Sequence, residues 1–320
     1  MAIGEFELIQ QYFHKQPGGD GVVQGIGDDC ALLQVPEGMH LAVSMDALIA
    51  DVHFPANADP ALIAERALRV NLSDLAAMGA QPLWFTLGLS LPDADEPWLE
   101  SFSEGLFAAA NHFECVLVGG DTTRGPLTIT IQVHGAIAPG KALLRSEAAP
   151  GDKIFVTGVL GDGAASLAAL RQKFSVHEED MTYFSNKFYR PEPCLKAGQR
   201  LQGLASAALD ISDGLVADLQ HICEESLVGA VINLESLPVS SELSRYESEC
   251  PIYDWALAGG DDYQLCFTVS PRNIDTVNAL IALGEIDATE VGEIVSGSGV
   301  TCLKSGDVYV SEQTGYKHFG

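Results

Sequence analysis

The chain has 320 residues, 44 acidic against 17 basic, for a formal charge of −27, and 47% of its residues are hydrophobic. That length is comfortable for two domains, and the apolar fraction supports well-buried cores rather than a disordered chain. The charge excludes a nucleic-acid or anionic-membrane partner, because no basic stripe supplies a phosphate-binding footprint.

In chain order, the first predicted element is a strand at 41–45. A helix follows over 60–78, opened by Pro60, whose missing N–H suits a helix start. A strand at 83–91 precedes a helix over 95–113, which carries Trp98, Phe102, Leu106 and Phe113 at helical spacing. The strand at 127–138 alternates, with Leu127, Ile129, Ile131 and Val133 on one face and polar residues on the other. The pattern then breaks over 139–152, with Pro139-Gly140, the basic Lys141 and Arg145, and Pro150-Gly151-Asp152. This predicts a boundary between a domain at 1–139 and another at 150–320.

Beyond the break, a strand at 153–157 leads through a glycine turn at 158–163 into a helix over 164–173. A strand at 207–211 feeds a helix over 215–225, and a strand at 263–269, a helix at 274–283 and a strand at 289–295 complete the pattern. Glu178-Glu179-Asp180 reads as solvated acidic surface. The expected fold class is α/β of the α+β type, two domains of mixed, largely antiparallel sheet flanked by helices.

The seven cysteines are widely spaced and contain no Cys-x-x-Cys, which fits reduced, mostly buried thiols rather than disulfides or zinc. Residues 1–16 lack a basic-then-apolar signal, and no apolar stretch is long enough to span a bilayer. The expected setting is the cytoplasm.

Six segments each set one or two aspartates beside glycine or serine. They are Gly25-Ile26-Gly27-Asp28-Asp29, Ser44-Met45-Asp46, Asn71-Leu72-Ser73-Asp74, Gly119-Gly120-Asp121-Thr122-Thr123, Asp210-Ile211-Ser212-Asp213-Gly214 and Gly259-Gly260-Asp261-Asp262. Carboxylates with small neighbours and no interleaved histidine suit hard, oxygen-seeking cations such as Mg²⁺. Such ions would also let so acidic a chain hold phosphates, by inverting the local charge. Each segment alone is ordinary turn chemistry. Asp74 is the sharpest of the set, because it lies in an apolar helical run where an unpaired carboxylate is costly. Asp210 and Asp213 flank Ser212 between a strand and a helix, where metal and helix-terminal amides could hold phosphate or where a plain N-cap could sit.

Other patterns fall away. Gly135 to Lys141 mimics P-loop spacing but is followed by Ala142, without the hydroxyl that holds Mg²⁺. The glycines of 158–163 run in the wrong order for a dinucleotide fingerprint, although their amides could approach an anion. His53 has no second histidine nearby for zinc, Cys30 beside Asp29 reads as structural, and no serine-nucleophile elbow is present.

The ordered set Gly-Ile-Gly-Asp-Asp-Cys-Ala-Leu-Leu, Asn-Leu-Ser-Asp-Leu-Ala-Ala-Met-Gly-Ala, Gly-Gly-Asp-Thr-Thr-Arg-Gly and Ile-Ser-Asp-Gly-Leu closely resembles the thiamine-monophosphate kinase family. That family lies within the ATP-binding superfamily of aminoimidazole ribonucleotide synthetase, and the likeness runs over essentially the whole chain. The resemblance implies that superfamily's two-domain fold, N-terminal domains pairing in a homodimer, and ATP bound beside several Mg²⁺ ions. Asp29, Ser44, Asp46, Asp74, Asp121, Asp210 and Asp213 match metal positions, and Gly120, Asp121, Arg145 and Ser212 match nucleotide contacts. His53, Asp261 and Phe319 match substrate contacts, and no covalent nucleophile is implied.

Two departures stand out. Met45 occupies a usual threonine position, and Gly259-Gly-Asp-Asp-Tyr-Gln-Leu265 replaces Gly-Gly-Glu-Asp-Tyr-Glu-Leu, shortening residue 261 by a methylene. The implied reaction is ATP plus thiamine monophosphate giving ADP and thiamine diphosphate by direct in-line transfer. A phosphate acceptor is already ionised at neutral pH and needs no base. The rival readings are a sister enzyme with another acceptor, a two-metal phosphatase, and a non-catalytic divalent-cation-binding protein.

Overall fold

A computed structural model describes residues 4–16 and 18–311. Its chain forms two units, Met1–Leu75 with Ala80–Gly140 and Ala76–Gly79 with Lys141–Gly320.

In the first unit, α1 (Glu5–Leu8) continues into a π-helical turn at Ile9–Phe13, and β1 (Val22–Gln24) pairs antiparallel with β2 (Leu32–Leu33). The main sheet takes β3 (His40–Ile49), β4 (Gln81–Leu91), β5 (Val116–Arg124) and β6 (Thr128–Ile137) in the order β3-β6-β4-β5. Only β4 and β5 run parallel, and their crossover is α3 (Glu96–His112). The helix α2 (Pro60–Met78) joins β3 to β4. Ile129, Ile131 and Val133 of β6 are fully buried, as their alternation predicts. Ser44 pairs with Val133 and Asp46 with Ile131, so the even residues of β3 share that inner face.

Among the described residues the second unit holds seven strands: β7 (Lys153–Thr157), β8 (Ala205–Ile211), β9 (Gly229–Asn233), β10 (Gln264–Val269), β11 (Ala288–Val295), β12 (Gly299–Lys304) and β13 (Asp307–Tyr309). Their order is β13-β12-β9-β11-β7-β10-β8, antiparallel except for β9 with β12. Around them lie α4 (Asp162–Leu170), α5 (Glu178–Tyr189), α6 (Leu195–Leu201), α7 (Leu215–Ser226), α8 (Ser241–Ser244), α9 (Ile252–Ala258) and α10 (Ile274–Ala282). Strand alternation sorts the core into two layers. Ile154, Val156, Leu209 and Ile211 pack with Leu219 and Ile222 of α7. Phe155, Ala208, Phe267 and Val269 pack with Leu201 of α6 and Val277 of α10. Phe155 and Phe267 stack with centroids 5.4 Å apart. Burying one such side chain contributes about 1.5–3 kcal/mol.

The mixed, largely antiparallel sheets flanked by helices are those the sequence predicts. The sequence does not predict α1, β1, β2, β5, α5, α6, β9, α8, α9, β12 or β13, and two of these run against its reading. The strand β5 runs straight through Gly119-Gly120-Asp121, a segment whose composition reads as a turn. The helix α5 begins at the residues expected to be solvated, and Asp180 is only 3% exposed. Its carboxylate accepts Arg245 Nη1 at 2.5 Å and the Tyr246 hydroxyl at 2.7 Å, partners distant in sequence that make burial of the charge tolerable.

Candidate functional site

In the first unit, strand alternation turns Ser44 and Asp46 toward α2, where Asn71 and Asp74 lie one turn apart. The Ser44 hydroxyl donates to Asp74 Oδ2 at 2.5 Å, and the Asp46 amide donates to Asn71 Oδ1 at 2.9 Å. Asn71 is completed by donating to the Ala67 carbonyl at 2.8 Å, a bond that fixes which way its amide faces. Ser44, Asp46 and Asp74 thus stand together as an all-oxygen group. Met45 lies between them on the strand, so its side chain points to the opposite face and is 59% exposed. The departure at this position therefore leaves the oxygen group intact.

A cleft of about 770 Å³ in the same unit is lined by Asp28, Asp29, Gly119, Gly120, Asp121 and Phe13, among others. This volume falls in the range of nucleotide-sized ligands. The Asp29 amide donates to Asp28 Oδ1 at 2.9 Å, which shapes the acidic turn. Gly120 is required where β5 closes on β4, since a Cβ there would fall 2.8 Å from the Leu87 carbonyl carbon. His53 sits in neither group; its Nδ1 accepts the Ile49 amide at 2.9 Å.

In the second unit, Asp210, Ser212 and Asp213 occupy the turn from β8 into α7. The three amides of this turn are not available to a phosphate. Ser212, Asp213 and Gly214 all donate to Asp218 Oδ2, at 2.9, 3.0 and 3.1 Å. Burial pushes the Asp218 carboxyl up to about 6. The glycine turn at 158–163 is occupied in the same way. Gly161 and Gly163 donate to the two oxygens of Asp262 at 2.8 and 3.0 Å, and burial raises Asp262 to about 7. Both turns do bind an anion, but it is a carboxylate of the chain itself.

Asp261 belongs to the same assembly, because its amide donates to the Ser212 carbonyl at 2.8 Å. Its φ of 62° is left-handed, a backbone state that non-glycine residues adopt mainly where structure compels it. Asp261 lines a second cleft of about 330 Å³ with Asp162, Tyr183, Lys187, Arg190 and Gln264. Asp162 is buried there, accepting the Tyr183 hydroxyl at 2.5 Å and the Ser240 hydroxyl at 2.6 Å, with Lys187 Nζ at 3.6 Å. Burial raises its pKa above the ordinary carboxylate value. Arg145 stands apart, exposed, with its carbonyl accepting the Ser226 hydroxyl. Phe319 lies outside the described residues.

Sequence reasoning passed over Asp218, Asp162 and Tyr183. The first had a readable signal, an acid in the opening turn of a predicted helix. The other two are brought together only by the packing of α4 and α5.

Two family models match the chain: AIR synthase related protein, N-terminal domain, over residues 27–137, and AIR synthase related protein, C-terminal domain, over residues 149–303. A thiamine-monophosphate kinase of Salmonella typhimurium is 47% identical over 322 residues, covering 100% of this chain and 99% of that protein. The crystal structure of a thiamine-monophosphate kinase from Stenotrophomonas maltophilia superposes with a TM-score of 0.84 at 42% identity, covering 91% of this chain and 93% of that one. A structure of AaThiL complexed with AMPPCP and TMP superposes with a TM-score of 0.79 at 32% identity, covering 99% and 97%. The chain belongs to the thiamine-monophosphate kinase family, built from the two AIR synthase related domains.

Proposed function

We infer that this chain transfers the γ-phosphoryl group of ATP to thiamine monophosphate, giving ADP and thiamine diphosphate. The observation that carries the reading is identity of 47% across the whole chain to a thiamine-monophosphate kinase, not across one domain alone. The relative complexed with AMPPCP and TMP supports the same pair of substrates.

The donor set fits Mg²⁺. Ser44, Asp46 and Asp74 offer oxygen alone, and Asp29 and Asp121 line a cleft in the same unit. Mg²⁺ is commonly held by one or two carboxylates together with phosphate oxygens rather than by a dedicated cage. Among the described residues no three histidine, cysteine, aspartate or glutamate side chains are already gathered around a point. We assign Asp29, Ser44, Asp46, Asp74 and Asp121 in the first unit, and Asp210 and Asp213 in the second, to metal binding. When bound, the ions would neutralise phosphate charge and stabilise charge developing in transfer.

The chain's own part is binding and orientation. Gly120 is assigned to the nucleotide: it lines the cleft, and its missing side chain lets β5 close on the Leu87 backbone of β4. Arg145 and Ser212 are assigned to the nucleotide, and His53, Asp261 and Phe319 to the acceptor. An oxygen of the acceptor phosphate attacks the γ-phosphorus in line as the bond to the β-phosphate oxygen breaks, and ADP leaves. The acceptor is itself ionised, so no side-chain base and no phosphorylated enzyme is needed.

The domains are assigned as 1–139, carrying most of the metal positions and the dimer contact, and 150–320, carrying Asp210, Ser212, Asp213 and Asp261. A homodimer is supported by β3, an edge strand with Leu41, Val43, Met45 and Ile49 exposed along one face. An uncovered apolar edge is a liability that a second copy removes. All seven cysteines are free thiols, which supports a reducing compartment such as the cytoplasm.

The deciding experiment is an ATP assay with thiamine monophosphate, with and without Mg²⁺, following ADP and thiamine diphosphate together. Equal, Mg²⁺-dependent formation of both is expected. Asp74→Asn should lower turnover by about 100-fold. ADP formed without thiamine diphosphate would assign another acceptor, and neither product would leave a cation-binding protein.

A further inference from the structure

The turn that carries Asp210, Ser212 and Asp213 is held from two sides. Asp218 Oδ2 gathers the successive amides of Ser212, Asp213 and Gly214 at 2.9, 3.0 and 3.1 Å. Asp218 is buried in the first turn of α7, so the acceptor is itself anchored on a rigid element. From the other side, the Ser212 carbonyl accepts the Asp261 amide and the Ile211 carbonyl accepts the Tyr263 amide, each at 2.8 Å. Two glycines permit this closeness: a Cβ on Gly214 would meet Ala258 Cα at 2.8 Å, and one on Gly260 would meet the Ser212 carbonyl at 2.6 Å.

An ordinary helix cap is supplied by the residue just before the helix, through its own side chain. Here the acceptor comes from inside the helix and the donors are the amides of the residues assigned to nucleotide and metal. The backbone dihedrals of Ser212 and Asp213 are thereby set by Asp218, and those dihedrals decide where their side chains leave the chain. Groups of this kind, one shell behind the ligands, govern ligand geometry as strongly as the ligands' own identity.

We propose that Asp218 is a positioning residue for phosphoryl transfer, holding the Ser212 hydroxyl and the Asp213 carboxylate in the direction that the Mg²⁺–nucleotide complex requires. The proposal rests on the function inferred above.

The test compares wild type, Asp218→Ala, Asp218→Asn and Asp218→Glu. Binding of AMPPCP with Mg²⁺ is measured by calorimetry, kcat and both KM values by the coupled-product assay, and folding by thermal melting. Asp218→Ala should weaken Mg²⁺-dependent AMPPCP binding by about 10- to 100-fold and raise KM for ATP more than KM for thiamine monophosphate. Asp218→Asn keeps an oxygen that can accept the amides and should bind within about threefold of wild type. A folded alanine variant with wild-type binding and KM values would overturn the proposal, as would alanine and asparagine variants that are equally impaired. Where the alanine variant does not fold, the other two decide. Asp218→Glu, whose oxygen is displaced by a methylene, should bind more weakly than Asp218→Asn, and the reverse order would overturn the role. Failure of the functional reading looks different: wild type would bind AMPPCP yet make no thiamine diphosphate, while the binding comparison would still judge Asp218.

Discussion

At the residue scale, the chain places buried carboxylates where its loops need internal anions. Asp262 bridges Gly161 and Gly163, and burial pushes its pKa from the ordinary carboxylate range up to about 7. A carboxyl whose pKa is raised on folding contributes stability that is fully present below its unfolded pKa and is lost as pH rises through the folded one. Melting measured from pH 5 to 8 should therefore show wild type losing ground to Asp262→Asn as pH rises, with the difference levelling off above about pH 7. Parallel melting curves for the two proteins across that range would show that Asp262 does not titrate there. Asp74 has a different task. It is half-buried, takes the Ser44 hydroxyl, and stands where sequence alone marks an apolar helix interrupted by charge.

At the scale of elements, the glycines with the sharpest demands lie where two backbones touch. Gly105 sits within α3, where alanine would ordinarily be favoured by about 1 kcal/mol. A Cβ at that position would lie 2.5 Å from Ala61 Cα and press on the Ala61 carbonyl of α2. Neither backbone can yield as a flexible side chain would. Gly105→Ala should thus destabilise the protein, by about 1–3 kcal/mol, against the helix-propensity trend. Urea titration would check it, and a variant as stable as wild type would mean that α2 and α3 can move apart without loss. The same logic explains Gly198 in α6, whose Cβ would meet the Ala76 carbonyl carbon at 3.0 Å.

At the scale of the whole molecule, the open face of β3 carries the next prediction. Leu41, Val43, Met45 and Ile49 alternate along that strand, and their exposure is the cost of a monomer. Sedimentation of wild type should give a dimer. Val43→Glu, which places charge on the face opposite Ser44 and Asp46, should give monomers whose helix content is unchanged. A wild-type monomer, or a charged variant that still dimerises, would remove this face from any interface.

Much of the fold was legible from periodicity, since β6 alternates and α2 and α3 repeat at helical spacing, so burial could be read directly from pattern. The strand β5 was not legible, because Gly119 and Gly120 lack the side chains that pattern reading depends on. The helix α5 was hidden because its buried acid, Asp180, is made tolerable by Arg245 and Tyr246, which lie some sixty residues away in the chain. The acidic segments could likewise be found one at a time, by their small neighbours and missing histidines. What sequence by itself determined is the kind of chemistry: hard oxygen donors, strands and helices of known period, and an order of motifs that places the chain in its family. What only the tertiary structure decided is which groups meet. Ser44 finds Asp74 because strand register and helix phase coincide, and the loop amides find Asp218 and Asp262 rather than a ligand, since such contacts depend on distances that residue order does not encode.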